Sequence, residues 1–172
     1  MLVDAGRITK LAVIFWPSFL QPIQMKKTEI VLIALVVISL VLFFSSMTGA
    51  ATLCFFSIMA LSFYYYVFSF ANFNGVGFRG LFRGSSYQGL SALRIVGSIV
   101  TGMALANVLI GILFKMLRYT GADSILLAGQ VPCLIVLVIS LVKLNKDQGP
   151  FYKGVLIRVV IIGVVGLIAY FN

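Results

Sequence analysis

The chain has no histidine, and only four of its 172 residues are acidic. Without histidine it lacks the side chain that most often works as a general base or metal ligand near neutral pH. The four acids, Asp4, Glu29, Asp123 and Asp147, are scattered, so no carboxylate cluster is in place for acid–base or metal chemistry. The sequence is therefore read as non-enzymatic, with no cofactor and no metal. Cysteine is scarce as well. Cys54 and Cys133 both fall inside apolar runs without metal-ligand spacing. At about 1.5 Å per helical residue they lie roughly 7 and 18 Å from the nearest turns, depths too different for a disulfide. Charge is the last shortage: 10% of residues are charged against 62% hydrophobic, too little polar surface to cover a soluble core. An integral membrane protein follows. The net charge of +9 would suggest nucleic acid in a soluble protein. Here the basic residues flank the apolar runs, which points to membrane topology and anionic lipid, and no nucleic-acid partner is expected.

What is abundant is apolar chain of spanning length. Gly111-Ile-Leu-Phe-Lys-Met-Leu-Arg-Tyr-Thr-Gly-Ala122 lies between apolar runs at 90–114 and 125–142, so it reads as the polar turn of a transmembrane hairpin. Thr48-Gly49-Ala50 sits between two earlier runs as Thr120-Gly121-Ala122 sits between the later pair, 72 residues on. The predicted fold is all-α: a polytopic membrane protein of about five helices, built on two related hairpins plus one further span.

Residues 1–24 contain a run at 11–20 that is too short to span and is interrupted by Pro17 and Pro22. Met25-Lys26-Lys27 then opens like a natural start, so the first 24 residues read as an upstream extension or as an interfacial segment around Trp16. The first hairpin occupies 25–71. Its apolar stretch from 30 to 71 is about 60 Å as a single helix, twice the hydrocarbon thickness, and can fold back only at Ser45-Ser46-Met47-Thr48-Gly49. The resulting spans, 30–47 and 50–71, carry no charge, and Tyr64, Tyr65 and Tyr66 are expected near the interface. Residues 72–89 form a basic, glycine-rich loop. Its Gly75-Val-Gly-Phe-Arg-Gly80 has the spacing of a dinucleotide-binding loop but lacks the preceding strand which that loop requires. Phe78, Leu81 and Phe82 interleaved with Arg79 and Arg83 suit a segment lying on lipid headgroups.

The second hairpin occupies 90–142. Arg94 is expected to snorkel to the interface, and Ser98, Gly102 and Ala106 form a small-residue stripe for close helix approach. Asn107 and Gln130 are the strongly polar side chains within these spans, and Pro132 is expected to kink the second. Residues 143–172 comprise a loop and a fifth span over 155–171, in which Arg158 is expected to snorkel back to the interface; lying in the interface is the alternative for this run. Eleven of the thirteen basic residues fall on one side of this arrangement, with only Lys115 and Arg118 on the other. The bias predicts five spans with the N-terminus inside and the C-terminus outside, so that both Thr-Gly-Ala turns face the exterior or periplasm.

Gly111-Ile-Leu-Phe-Lys-Met-Leu-Arg-Tyr-Thr-Gly-Ala-Asp123, followed by Leu126-Leu-Ala-Gly129, resembles the transmembrane hairpin of the GldL family, inner-membrane motor proteins of bacterial gliding and type IX secretion. Phe114, Lys115, Gly121 and Ala122 match the family's turn, and the resemblance covers about 50 residues. It implies a periplasmic turn. Arg118 and Tyr119-Thr120 replace the family's histidine and tryptophan-proline, and no carboxylate stands between Asp123 and Asp147, where the family carries its motor glutamate. The resemblance thus implies a shared structural unit without the motor chemistry.

Two functions compete. One is a structural or accessory component of an inner-membrane complex, acting as a homo-oligomer or with other membrane proteins. The other is a small transporter or channel whose path Arg94, Asn107, Lys115 and Gln130 would line. Two contacts are also expected: Asp123 with Lys115 or Arg118 at the outer turn, and a clasp between Asn107 and Gln130. These last two lie 13 residues before and 10 after Thr120, at depths differing by about 5 Å.

Overall fold

Apolar runs of this length satisfy their own backbone in lipid only as helices, and the computed structural model, which describes residues 25–81, 84–146 and 150–171, contains five of them. They are α1 (Met25–Phe44), α2 (Ala50–Asn74), α3 (Ala92–Met116), α4 (Ala122–Lys146) and α5 (Pro150–Phe171). All five are long and apolar enough to cross a membrane, and no strand occurs among the described residues. Short 3-10 turns at Phe78–Gly80 and Gly84–Tyr87 link the two hairpins. The segment 1–24, with Trp16, and the headgroup contacts expected of Phe82 and Arg83 lie outside the described residues.

The 72-residue repeat is structural. α1 and α3 end, and α2 and α4 both begin and end, at positions 72 apart. Ser46 (φ 55°) and Arg118 (φ 57°) adopt the same left-handed conformation, as do Gly49 (φ 82°) and Gly121 (φ 83°). The backbone bond from Met47 N–H to the Leu42 carbonyl recurs from Tyr119 N–H to Phe114. Glycine closes both turns because a Cβ is strained at positive φ. Arg118 is therefore first of all a turn residue.

Consecutive helices pack on one another, and α3 also contacts α5. α3 is the most enclosed, with 56% of its most apolar stretch buried, against 17% for α1 and 22% for α5. The outer pair thus turn most of their surface outward, as lipid-facing helices do. Ser98, Gly102 and Ala106 are buried, and a Cβ on Gly102 would come within 2.5 Å of the Tyr65 carbonyl oxygen on α2. The small-residue stripe is thus the α2–α3 seam. The hairpins solve their own crossings differently. In the first, Ser39 and Ser57 hydrogen-bond at 2.7 Å. At the corresponding positions of the second stand Gly111 and Gly129, whose missing side chains admit Leu126 and the backbone of Val108.

Two expectations about side-chain placement change. Tyr64 and Tyr65 are buried rather than interfacial, because α1 extends to Met25 and gives their hydroxyls partners; only Tyr66 is exposed. Phe78 and Leu81 pack against the core, Phe78 edge-on to Phe68 at 5.3 Å, rather than dipping into headgroups. α4 runs helically through Pro132.

Candidate functional site

α1 begins five residues before the uncharged run at 30, so Glu29 lies inside a spanning helix and is only 3% exposed. A buried carboxylate needs donors, and the structure supplies four. Oε1 accepts from the Tyr65 hydroxyl at 2.6 Å and from Arg158 Nε at 2.5 Å. Oε2 accepts from Asn72 Nδ2 at 3.1 Å and from a terminal Arg158 nitrogen at 2.5 Å. The guanidinium meets the carboxylate as a fork, the strongest arrangement for this pair. Its remaining terminal nitrogen donates to the Gly154 carbonyl at 2.8 Å, and its Cζ lies 5.4 Å from the centre of the Phe73 ring. Beside it the Tyr64 hydroxyl donates to the Met25 carbonyl at 2.7 Å. One charge pair therefore ties together α1, α2 and α5.

The sequence suggested that Arg158 snorkels to the interface; instead it is satisfied inside the bundle by the Glu29 carboxylate. Its position held a signal for this. It stands eight residues inside α5, too deep for the interface to be the only solution, and Glu29 lies near the corresponding end of another span.

Next to this pair is a cavity of about 190 Å³ at the basic end, lined by Lys26, Asn72, Phe73, Asn74, Gly75, Arg94, Phe151, Gly154 and Arg158. Arg94 reaches it by lying over the Phe151 ring, 4.4 Å from its centre. At the other end the Lys115 ammonium pairs with Asp123 at 2.7 Å, as expected, and also donates to the Tyr170 carbonyl at 3.3 Å. Both line a wide groove of about 890 Å³ between the ends of α1 and α5, together with Arg118.

The Asn107–Gln130 clasp does not form. Gln130 is buried, and its Nε2 donates to the Gly163 carbonyl on α5 at 2.9 Å, while Asn107 is half-buried and makes no hydrogen bond among the described residues. The reason is rotation about the helix axis. Gly129 faces α3, so Gln130, about 100° further round, faces α5. There Gly163 and Gly166 leave the helix surface bare, and a Cβ on Gly166 would strike the carboxamide. Pro132 follows in the same stretch of α4 and lines none of the cavities described here.

The four residues that a conducting path would need are consequently dispersed. Arg94 lines the basic-end cavity, Lys115 the opposite groove, and Gln130 a lateral cleft of about 240 Å³ between α4 and α5, while Asn107 lines none of these. The two cysteines are free and buried, and the described residues hold no group of three or more His, Cys, Asp or Glu side chains placed to bind a metal. No family model, curated protein or solved structure matches the chain.

Proposed function

We propose that this chain is a small non-catalytic protein of the bacterial inner membrane, a structural or accessory component of a membrane complex formed with itself or with other membrane proteins. The observation that carries this reading is that Arg94, Lys115 and Gln130 line three separate cavities and Asn107 lines none of them. The polar groups inside the bundle serve mainly to join helices: Glu29 to Arg158, Ser39 to Ser57, Gln130 to Gly163. Glu29 is a carboxylate within a span, where none was anticipated, but all four of its donors come from this chain and it lies in the first hairpin. It does not restore the second-hairpin glutamate of the gliding motors. The gliding and type IX secretion apparatus stays a candidate setting only through the sequence resemblance of the second hairpin. The orientation proposed from the charge bias puts the basic end in the cytoplasm and both Thr-Gly-Ala turns in the periplasm.

Reconstitution in proteoliposomes tests this function against transport. The purified chain should leave proton, potassium and chloride permeability at the level of protein-free vesicles, and crosslinking in native membranes should trap it in a discrete assembly. A flux abolished by replacing Arg94 or Lys115 would instead establish a transporter or channel. Single cysteines at 85 and 121, in a background lacking Cys54 and Cys133, test the orientation: only 121 should react with an impermeant reagent in intact cells.

A further inference from the structure

The basic-end cavity holds more hydrogen-bonding capacity than the protein uses. Asn72 is 3% exposed, and its Nδ2 is committed to Glu29, which fixes the amide orientation and leaves Oδ1 as a buried acceptor without a donor. Asn74 repeats the pattern: Nδ2 donates to the Phe70 carbonyl at 2.6 Å, and Oδ1 is buried and unpartnered. Arg94 Nε is a buried donor with no acceptor. Buried polar atoms are rarely left without partners, and three on residues that line one cavity call for an explanation.

Among the described residues the charge of the cavity is also unbalanced. Arg158 is neutralised by Glu29, but no carboxylate among the described residues pairs with Lys26 or Arg94. The site therefore offers two positive charges, one unused N–H and two unused amide oxygens. A bare anion would answer the first three and leave the amide oxygens unmet. A ligand answering all of them bears a negative charge together with hydroxyl donors. The aromatic rings of Phe73 and Phe151 hold the Arg158 and Arg94 guanidiniums in place, so the cradle is already formed.

We propose that this cavity is a binding site for a phosphate ester of a small polyol. Lys26 and Arg94 hold the phosphate, and the amide oxygens of Asn72 and Asn74 accept from the hydroxyls. Such a group arrives either as the headgroup of a glycerol-bearing anionic phospholipid or as a free polyol phosphate. Basic pockets between transmembrane helices are established places for anionic headgroups, and this one opens at the end of the bundle where the basic residues gather. The proposal concerns a ligand and does not depend on the assembly function above.

Binding is measured on the full chain by native mass spectrometry and by protection against thermal unfolding, with four probes: phosphatidylglycerol, phosphatidic acid, phosphatidylcholine and free glycerol phosphate. Phosphatidylglycerol or glycerol phosphate should bind at least tenfold more tightly than phosphatidylcholine, and phosphatidic acid, which has the charge without the polyol, should fall between. Arg94→Gln and Lys26→Gln should each reduce that preference at least fivefold. Lys26 is exposed, so its replacement leaves folding intact and keeps the test decisive if the Arg94 variant is unstable. Saturation by glycerol phosphate alone identifies a soluble ligand, and dependence on the acyl chains identifies a lipid; both support the site. Equal affinity for phosphatidylglycerol and phosphatidylcholine, or a preference unchanged in Lys26→Gln, overturns it.

Discussion

Glu29 and Arg158, 129 residues apart in sequence, form a two-pronged ion pair that joins the first helix of the bundle to the last. α1 and α5 each turn most of their surface outward, and at their far ends the wide groove lined by Leu40, Phe44 and Ile168 separates them. The pair thus closes the bundle at one end. Such a link is not in itself a large net gain, because burying both charges offsets much of their attraction. Removing one partner is another matter.

Glu29→Gln should destabilise the protein by about 3–5 kcal/mol, because it leaves the Arg158 guanidinium in the bundle without its counter-charge. Arg158→Leu should do the same from the other side. The double variant Glu29→Leu/Arg158→Leu should recover most of the loss, since no charge then remains to be desolvated. Reversible unfolding in mixed micelles measures all three. Additive losses in the double variant would show that the two residues act separately.

The Lys115–Asp123 pair should behave in the opposite way. Asp123 is mostly exposed, so the pair is screened and contributes about 0 to 1 kcal/mol. Asp123→Asn should lower stability slightly at low salt, and the difference should vanish at about 1 M salt, where the Debye length is roughly 3 Å. A large loss that persists at high salt would contradict the exposed geometry.

Gln130→Leu should cost about 0.6–2 kcal/mol, the range for an interhelical hydrogen bond in a membrane protein. Asn107→Leu should couple to it negligibly, because Gln130 spends its donor on Gly163. A double-mutant cycle reads this directly. Coupling near 1 kcal/mol would reinstate a contact between α3 and α4 at this level.

The contrast between Gln130 and the hairpin turns shows what was legible in the sequence. A 72-residue offset in Thr-Gly-Ala anticipated two turns with matching backbone, because glycine at positive φ is a local requirement. Lys115 and Asp123 flank a single turn, so their meeting was also local. Depth along a hairpin can be counted from its turn, and Asn107 and Gln130 do lie at similar depth. Which way each faces depends on how a third helix packs, and glycines at 129, 163 and 166 decide that. The ion pair was hidden for a different reason. An apolar window starting at residue 30 excluded Glu29, whereas helix geometry includes it, and its partner lies on the far helix of the bundle.

The glycines of α3 allow a controlled test of close approach. Gly97 and Gly102 lie five residues apart on different faces of the helix: a Cβ on Gly97 meets nothing within 4 Å, whereas one on Gly102 would run into the Ser69 side chain and the Tyr65 carbonyl. Alanine is the better helix former by about 1 kcal/mol, so Gly97→Ala should be neutral or stabilising by up to that amount. Gly102→Ala gains the same propensity but must force α2 and α3 apart. Its net effect should be a loss of about 1–3 kcal/mol, as for overpacking elsewhere. The separation should also disturb Tyr65, whose hydroxyl donates to Glu29, so Gly102→Ala combined with Glu29→Gln should destabilise less than the sum of the two. Strict additivity would place the α2–α3 seam and the ion-pair network in independent parts of the bundle.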